Sequence, residues 1–176
     1  MNFELSILDS HWINGAHDDP EDFCLHGKVY VRIGNEVIDD GISNGEWTIS
    51  AGAYRMLESL YGDHVAGNGE HLLPCCGHFM VIEEKTDKLA ILGCPNGIDW
   101  SVLHENDKIK LRTDLGGEVI LLFNDYKEMV YSFADTVKSY YNKCSPKVSH
   151  IEEFEKNAYQ RFWRDWEKWR NGSNPL

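Results

Sequence analysis

Residues 72–100 read LLPCCGHFMVIEEKTDKLAILGCPNGIDW, and their pattern decides the fold. His78–Glu84 and Leu89–Cys94 are apolar runs of strand length, and the polar tetrapeptide Lys85-Thr86-Asp87-Lys88 between them suits a short hairpin loop. Such a loop sets Glu84 opposite Leu89, Ile82 opposite Ile91, Met80 opposite Gly93 and Phe79 opposite Cys94. Alternation then gives Phe79, Val81, Ala90, Leu92 and Cys94 one face, and Met80, Ile82, Leu89 and Ile91 the other. Both faces are largely apolar, which predicts strands covered on both sides.

The same stretch carries three of the five cysteines. Cys75, Cys76, His78 and Cys94 are the residue types that bind zinc, an ion whose ligands must converge from one side. In this register Cys94 projects away from His78. Cys75 shares the face of Cys94 only if the strand runs unbroken through Gly77, and a bulge there would reverse this. With adjacent cysteines and no second CxxC, the thiols read as small buried hydrophobes, and no metal or other cofactor is expected.

Outward from this centre, 176 residues suit a single domain over residues 1–176, with 171–176 as a loose tail. A hydrophobic content of 42% against 26% charged residues describes a folded rather than a disordered chain. No apolar run reaches membrane-spanning length and no basic n-region precedes an apolar core at the N-terminus, so a cytoplasmic protein away from membranes is expected. An odd, irregular set of cysteines is no disulfide framework and fits the same compartment. The net charge is −12, and residues 1–71 hold thirteen acids against three bases. That balance argues against nucleic acid and toward a basic partner.

Phe3, Leu5 and Ile7 alternate as a half-buried strand. The apolar positions from Phe23 to Ile33 form a long strand with a bend expected at Gly27, and Gly34-Asn35 turns it into Glu36–Asp39. Ser50 fits the N-cap of a helix through Tyr61, after which Asp63 to Glu70, rich in glycine, reads as a mobile loop. Beyond the central hairpin, Ile98–His104, Lys108–Thr113 and Glu118–Phe123 are three further strands. Lys108, Lys110 and Arg112 form a basic row outside Ile109 and Leu111. A helix capped by Asn124 carries a stripe from Tyr126 to Tyr141. Ser149–Glu152 fits a capping box for a last helix, rich in Phe and Trp, running to about Arg170. The predicted class is α+β: an antiparallel β-meander of about five strands, with an N-terminal strand or hairpin, packed against two or three helices.

No GxSxG, HExxH, GxGxxG or P-loop pattern occurs. The residues point to a small, acidic, non-enzymatic protein-binding domain that docks on a basic partner. Immunity proteins that neutralise toxins share this size and charge. The expected contact residues are Asp18, Asp19, Glu21, Asp22, Asp39 and Asp40, joined by Trp163 and Trp166 on the last helix, which could also serve a homodimer. The alternative is a zinc-dependent hydrolase built on His64, His71, Cys75, Cys76 and His78.

Overall fold

A computed structural model of the chain describes residues 2–15, 20–77, 79–147 and 153–172. Strand β1 (Phe3–His11) pairs antiparallel with β2 (His26–Ile33), which also pairs with β3 (Glu36–Asp39) and β4 (Trp47–Thr48). Alternation along β2 buries Val29, Val31 and Ile33 and leaves Tyr30 and Arg32 half-buried. The irregularity expected at Gly27 falls on the partner strand instead, between Ile7 and Asp9. Gly27 serves a different need: a Cβ there would lie 2.3 Å from the Asp9 carbonyl oxygen, so the two backbones meet only because the side chain is missing.

Helix α1 (Ile49–Glu58) follows β4 directly, and Ile49 to Tyr54, Met56 and Leu57 are all buried. Its small residues let neighbours close in. A Cβ on Gly52 would sit 2.4 Å from Leu73 Cδ2 and 3.1 Å from the Leu72 carbonyl oxygen. Ser50 lies inside the first turn rather than at the cap, which is Thr48 without a side-chain capping bond. Its Oγ instead accepts from the Leu25 amide at 3.1 Å, and its own amide donates to the Leu25 carbonyl at 3.3 Å. A buried tertiary partner takes the place of the local cap: the Leu25 amide is shared between the Ser50 and Tyr141 hydroxyls.

The next strands are β5 (Leu73–Pro74), β6 (Phe79–Ile82), β7 (Leu89–Leu92), β8 (Gly97–Ile98), β9 (Ser101–Glu105), β10 (Lys108–Arg112) and β11 (Glu118–Leu122). They divide into small sheets: β5 pairs with β8, β6 with β7, and β9, β10 and β11 form the meander proper. In the β6–β7 hairpin the four-residue loop is 84–87, since the Glu83 amide donates to the Lys88 carbonyl at 2.8 Å. Met80 faces Ile91 and Ile82 faces Leu89, two residues off the expected register. The loop slides because Asp87 adopts φ 52°, a left-handed conformation that aspartate tolerates better than lysine. An even slip preserves the faces. Met80 and Ile91 are buried, whereas Phe79 and Leu92 are 39% and 48% exposed, so the ribbon is covered on one face and not on two.

In the meander Ile109 and Leu111 are fully buried, and the outward Lys110 bridges Glu105 at 2.8 Å and Glu118 at 3.6 Å. The basic row is a solvated sheet face with its own cross-strand acids. Helix α2 (Phe123–Tyr141) starts one residue before Asn124 and buries Tyr126, Val130, Phe133, Ala134 and Val137 against β1, β10, β11 and α1. At its end the Tyr141 hydroxyl donates to the Phe23 carbonyl at 2.7 Å and accepts from the Leu25 amide at 3.1 Å. Helix α3 (Glu153–Arg170) buries Ala158, Phe162, Trp166 and Trp169 and packs on α1, β6 and β7. The capping box at Ser149–Glu152 lies outside the described residues. Three helices on small antiparallel sheets make the class α+β, and no helix among the described residues is long and apolar enough to cross a membrane.

Gly27→Ala is expected to destabilise the fold by about 1–3 kcal/mol, the usual range for forced overpacking. Gly62→Ala, where the added Cβ meets nothing within 4 Å, is expected to stay within about 0.5 kcal/mol of the parent. Urea denaturation of both variants measures the difference, and equal midpoints would refute the close-approach account of Gly27.

Candidate functional site

Among the described residues, the carboxylates singled out in the acidic first third divide between buried and exposed positions. Asp18 and Asp19 lie outside the described residues. Asp22 is buried, and its two oxygens accept from the Ile13 amide at 2.7 Å and the Cys24 amide at 2.9 Å. Asp39 is fully buried between the Trp47 indole N–H and the Gly41 amide. Both are corrected from partner contacts to backbone staples, because a loop amide turned inward needs an acceptor and a carboxylate is the strongest available. Asp40 accepts from the Ser43 and Ile42 amides and the Ser43 hydroxyl, bonds that hold its pKa below the ordinary value and keep it ionised. Glu21 is exposed.

The aromatic pair on α3 divides as well. Trp166 is fully buried and is corrected to a core residue. Trp163 is half-buried at the junction with α2, with ring centroids 4.9 Å from Tyr141 and 5.2 Å from Trp166.

A groove of about 620 Å³ opens where the C-terminal half of α1, the segment 61–70, the hairpin loop and α3 meet. Arg161 fixes its rim by donating to Asp165 on its own helix, at 2.9 and 2.7 Å, and to Asp87 of the hairpin loop at 2.9 Å. Arg55 is spent on the carbonyls of His71 and Ile91. Glu58 and Glu70 are different. Neither carboxylate has a hydrogen bond or ion pair among the described residues, although both line the groove. Glu58 keeps exposed surface, but the groove walls crowd its carboxyl and strip water from it. That desolvation, reinforced by Glu70, raises its pKa above the ordinary 4.5.

The segment from Asp63 to Glu70, read from sequence as mobile, is pinned. His64 forms an antiparallel bridge with Val102, with N–H to carbonyl bonds of 2.9 and 2.8 Å in the two directions. Asp99 does the rest: its carboxylate meets His64 Nε2 at 2.7 Å and accepts from the Leu72 amide at 3.0 Å and the Gly67 amide at 3.3 Å. A histidine held by an aspartate resembles part of a catalytic triad, but the groove's serine, Ser59, is buried and bonded to the Met56 carbonyl and the Tyr126 hydroxyl. Sequence reasoning missed Asp99, because its role appears only once the segment folds back on it.

The cysteines depart furthest from expectation. The Sγ atoms of Cys75, Cys76 and Cys94 all lie within 4.8 Å of one another, and Cys75 and Cys94 are joined as a disulfide. Among the described residues the cluster takes in neither His64 nor His71, and His78 lies outside them. The sequence expectation of buried, hydrophobe-like thiols in no disulfide framework therefore gives way to three half-buried sulfurs that converge, two of them bonded. Cys24 stands apart as a buried thiol donating to the Gly77 carbonyl at 3.2 Å, and burial pushes its pKa far up. No protein-family model, curated protein or solved structure matches the chain.

Two outcomes are expected. Asp99→Ala leaves the buried Leu72 amide without an acceptor, at a cost of about 1–3 kcal/mol, releases the exposed Gly67 amide to water, and should selectively raise amide hydrogen exchange across 63–72. Unchanged protection at Leu72 would contradict the pinning role. Glu58, with its pKa raised in the folded state, favours folding while protonated, so stability falls as pH rises from 4.5 through the folded value. Glu58→Gln should accordingly raise the urea midpoint at neutral pH and leave it unchanged near pH 4. A gain of equal size at both pH values would point to packing instead.

Proposed function

We propose that this chain is a non-enzymatic, cytoplasmic protein-binding domain that docks on a basic partner, with the α1–α3 groove as the docking site. The observation that carries the reading is the pair Glu58 and Glu70, two carboxylates in one concave site that make no hydrogen bond or ion pair among the described residues, with Arg55 and Lys88 acting on Glu58 only through space. Partial desolvation of Glu58 beside a second carboxylate is unfavourable, and an incoming lysine or arginine relieves it. The surrounding field favours the encounter, because the chain carries −12 overall and most of the excess lies before residue 72. Arg161 and Asp165 hold the rim in place before binding, which lowers the ordering cost of association. The finer form of the proposal is a toxin-neutralising immunity protein, whose partner is a basic toxin that the complex inactivates.

Affinity capture from the native cell with the full chain tests this. The expected result is a basic protein retained at low ionic strength, released by salt and lost with the Glu58→Lys/Glu70→Lys double variant. An acidic partner, or equal capture by the double variant, would overturn the groove reading. For the immunity form, co-expression should relieve the growth arrest caused by the captured partner.

A further inference from the structure

The three sulfurs at the end of the β5–β8 ladder have no part in the docking groove. Cys75 follows β5 directly, and its amide donates to the Asn96 carbonyl at 3.0 Å, which holds one sulfur beside the turn after β7. Cys94 lies in that turn. Gly93 makes the approach possible: a Cβ there would lie 2.2 Å from the Cys76 carbonyl oxygen. With the backbones in contact, the Cys94 amide points at the Cys76 sulfur from 2.8 Å. All three cysteines are half-buried, so a small ion can reach them.

Two chemistries compete for this cluster. A disulfide uses two sulfurs, those of Cys75 and Cys94, and assigns nothing to the third or to the amide aimed at it. The Cα atoms of that pair stand 6.9 Å apart, at the wide edge of the ~4.4–6.8 Å usual for disulfides. A soft divalent ion uses all three sulfurs. Tetrahedral zinc with Zn–S bonds of ~2.3 Å spaces its thiolates about 3.8 Å apart, within reach of side-chain rotation here. An N–H donated to the Cys76 sulfur holds that ligand in place, as outer hydrogen bonds do at metal sites.

We infer that Cys75, Cys76 and Cys94 form a thiolate site for an ion of the zinc class once a thiol reductant has given two electrons to the Cys75–Cys94 disulfide and released both sulfurs as thiolates, with the fourth position filled from outside the triad. Cys24 is not that fourth ligand, because its thiol is buried and donates to the Gly77 carbonyl. Bound metal ties the exit of β5 to the turn after β7, and its binding free energy adds to the stability of the fold.

The test uses the full chain, purified under reductant without added metal. Elemental analysis should find roughly one zinc ion per chain, and chelation should lower the melting temperature. Replacement by cobalt(II) should give the intense near-ultraviolet absorption of thiolate-to-metal charge transfer. Cys76→Ser and Cys94→Ser should each weaken cobalt binding by roughly tenfold or more, whereas Cys24→Ser should leave it intact. A metal-free protein that shows no thiolate band with cobalt would overturn the inference, as would Cys76→Ser binding cobalt like the parent. Should the serine variants fail to fold, the band intensity of the parent still decides, since it scales with the number of coordinated thiolates.

Discussion

Helix α1 has eight of its ten residues buried, and the rest of the molecule is arranged to satisfy that constraint. A helix so enclosed must be wrapped by neighbours on several sides, and its Ala51-Gly52-Ala53 surface admits them at backbone distance. The first sheet, β5, α2 and α3 each supply one wall. The two positions that escape burial, Arg55 and Glu58, fall together on the side where the walls part, and there the groove opens. Site and core are thus two results of one packing problem.

Charge is used in two ways. Asp22, Asp39 and Asp99 turn inward and organise loops by accepting backbone amides, so much of the acidity that looks like surface is architecture. Glu58 and Glu70 accept no such bond among the described residues, and it is on them that the docking proposal rests. The thiols follow the same logic with different chemistry: Cys24 is consumed by the interior, whereas Cys75, Cys76 and Cys94 gather at a margin.

Much of this was legible in the sequence, and the failures share a cause. The faces of the β6–β7 hairpin were readable because side-chain parity survives a slip of two residues, while the loop position depended on the left-handed turn at Asp87. The meander from Ser101 to Leu122 and the stripe of α2 followed from periodicity alone. Ser50 was misread as a cap because its partner, the Leu25 amide, is remote in sequence. The same holds for Asp39 and Asp99, whose acceptor roles depend on which amides the fold turns inward, and for the cysteines, which meet through the bare backbone of Gly93. Local pattern fixed the elements; non-local partners fixed the chemistry.

The hydroxyl of Tyr141 has a consequence for the order of assembly. It closes on Phe23 and Leu25 across 118 and 116 residues, and Tyr61 reaches the carbonyl of Trp169 across 108. Contacts of such long separation carry a loop-closure cost and slow the search. During synthesis the early strands emerge with α1 and keep apolar surface uncovered until α3 has been made as well. Completion of the core therefore waits on a helix translated long after the first strands, and chaperone demand should be concentrated in that interval.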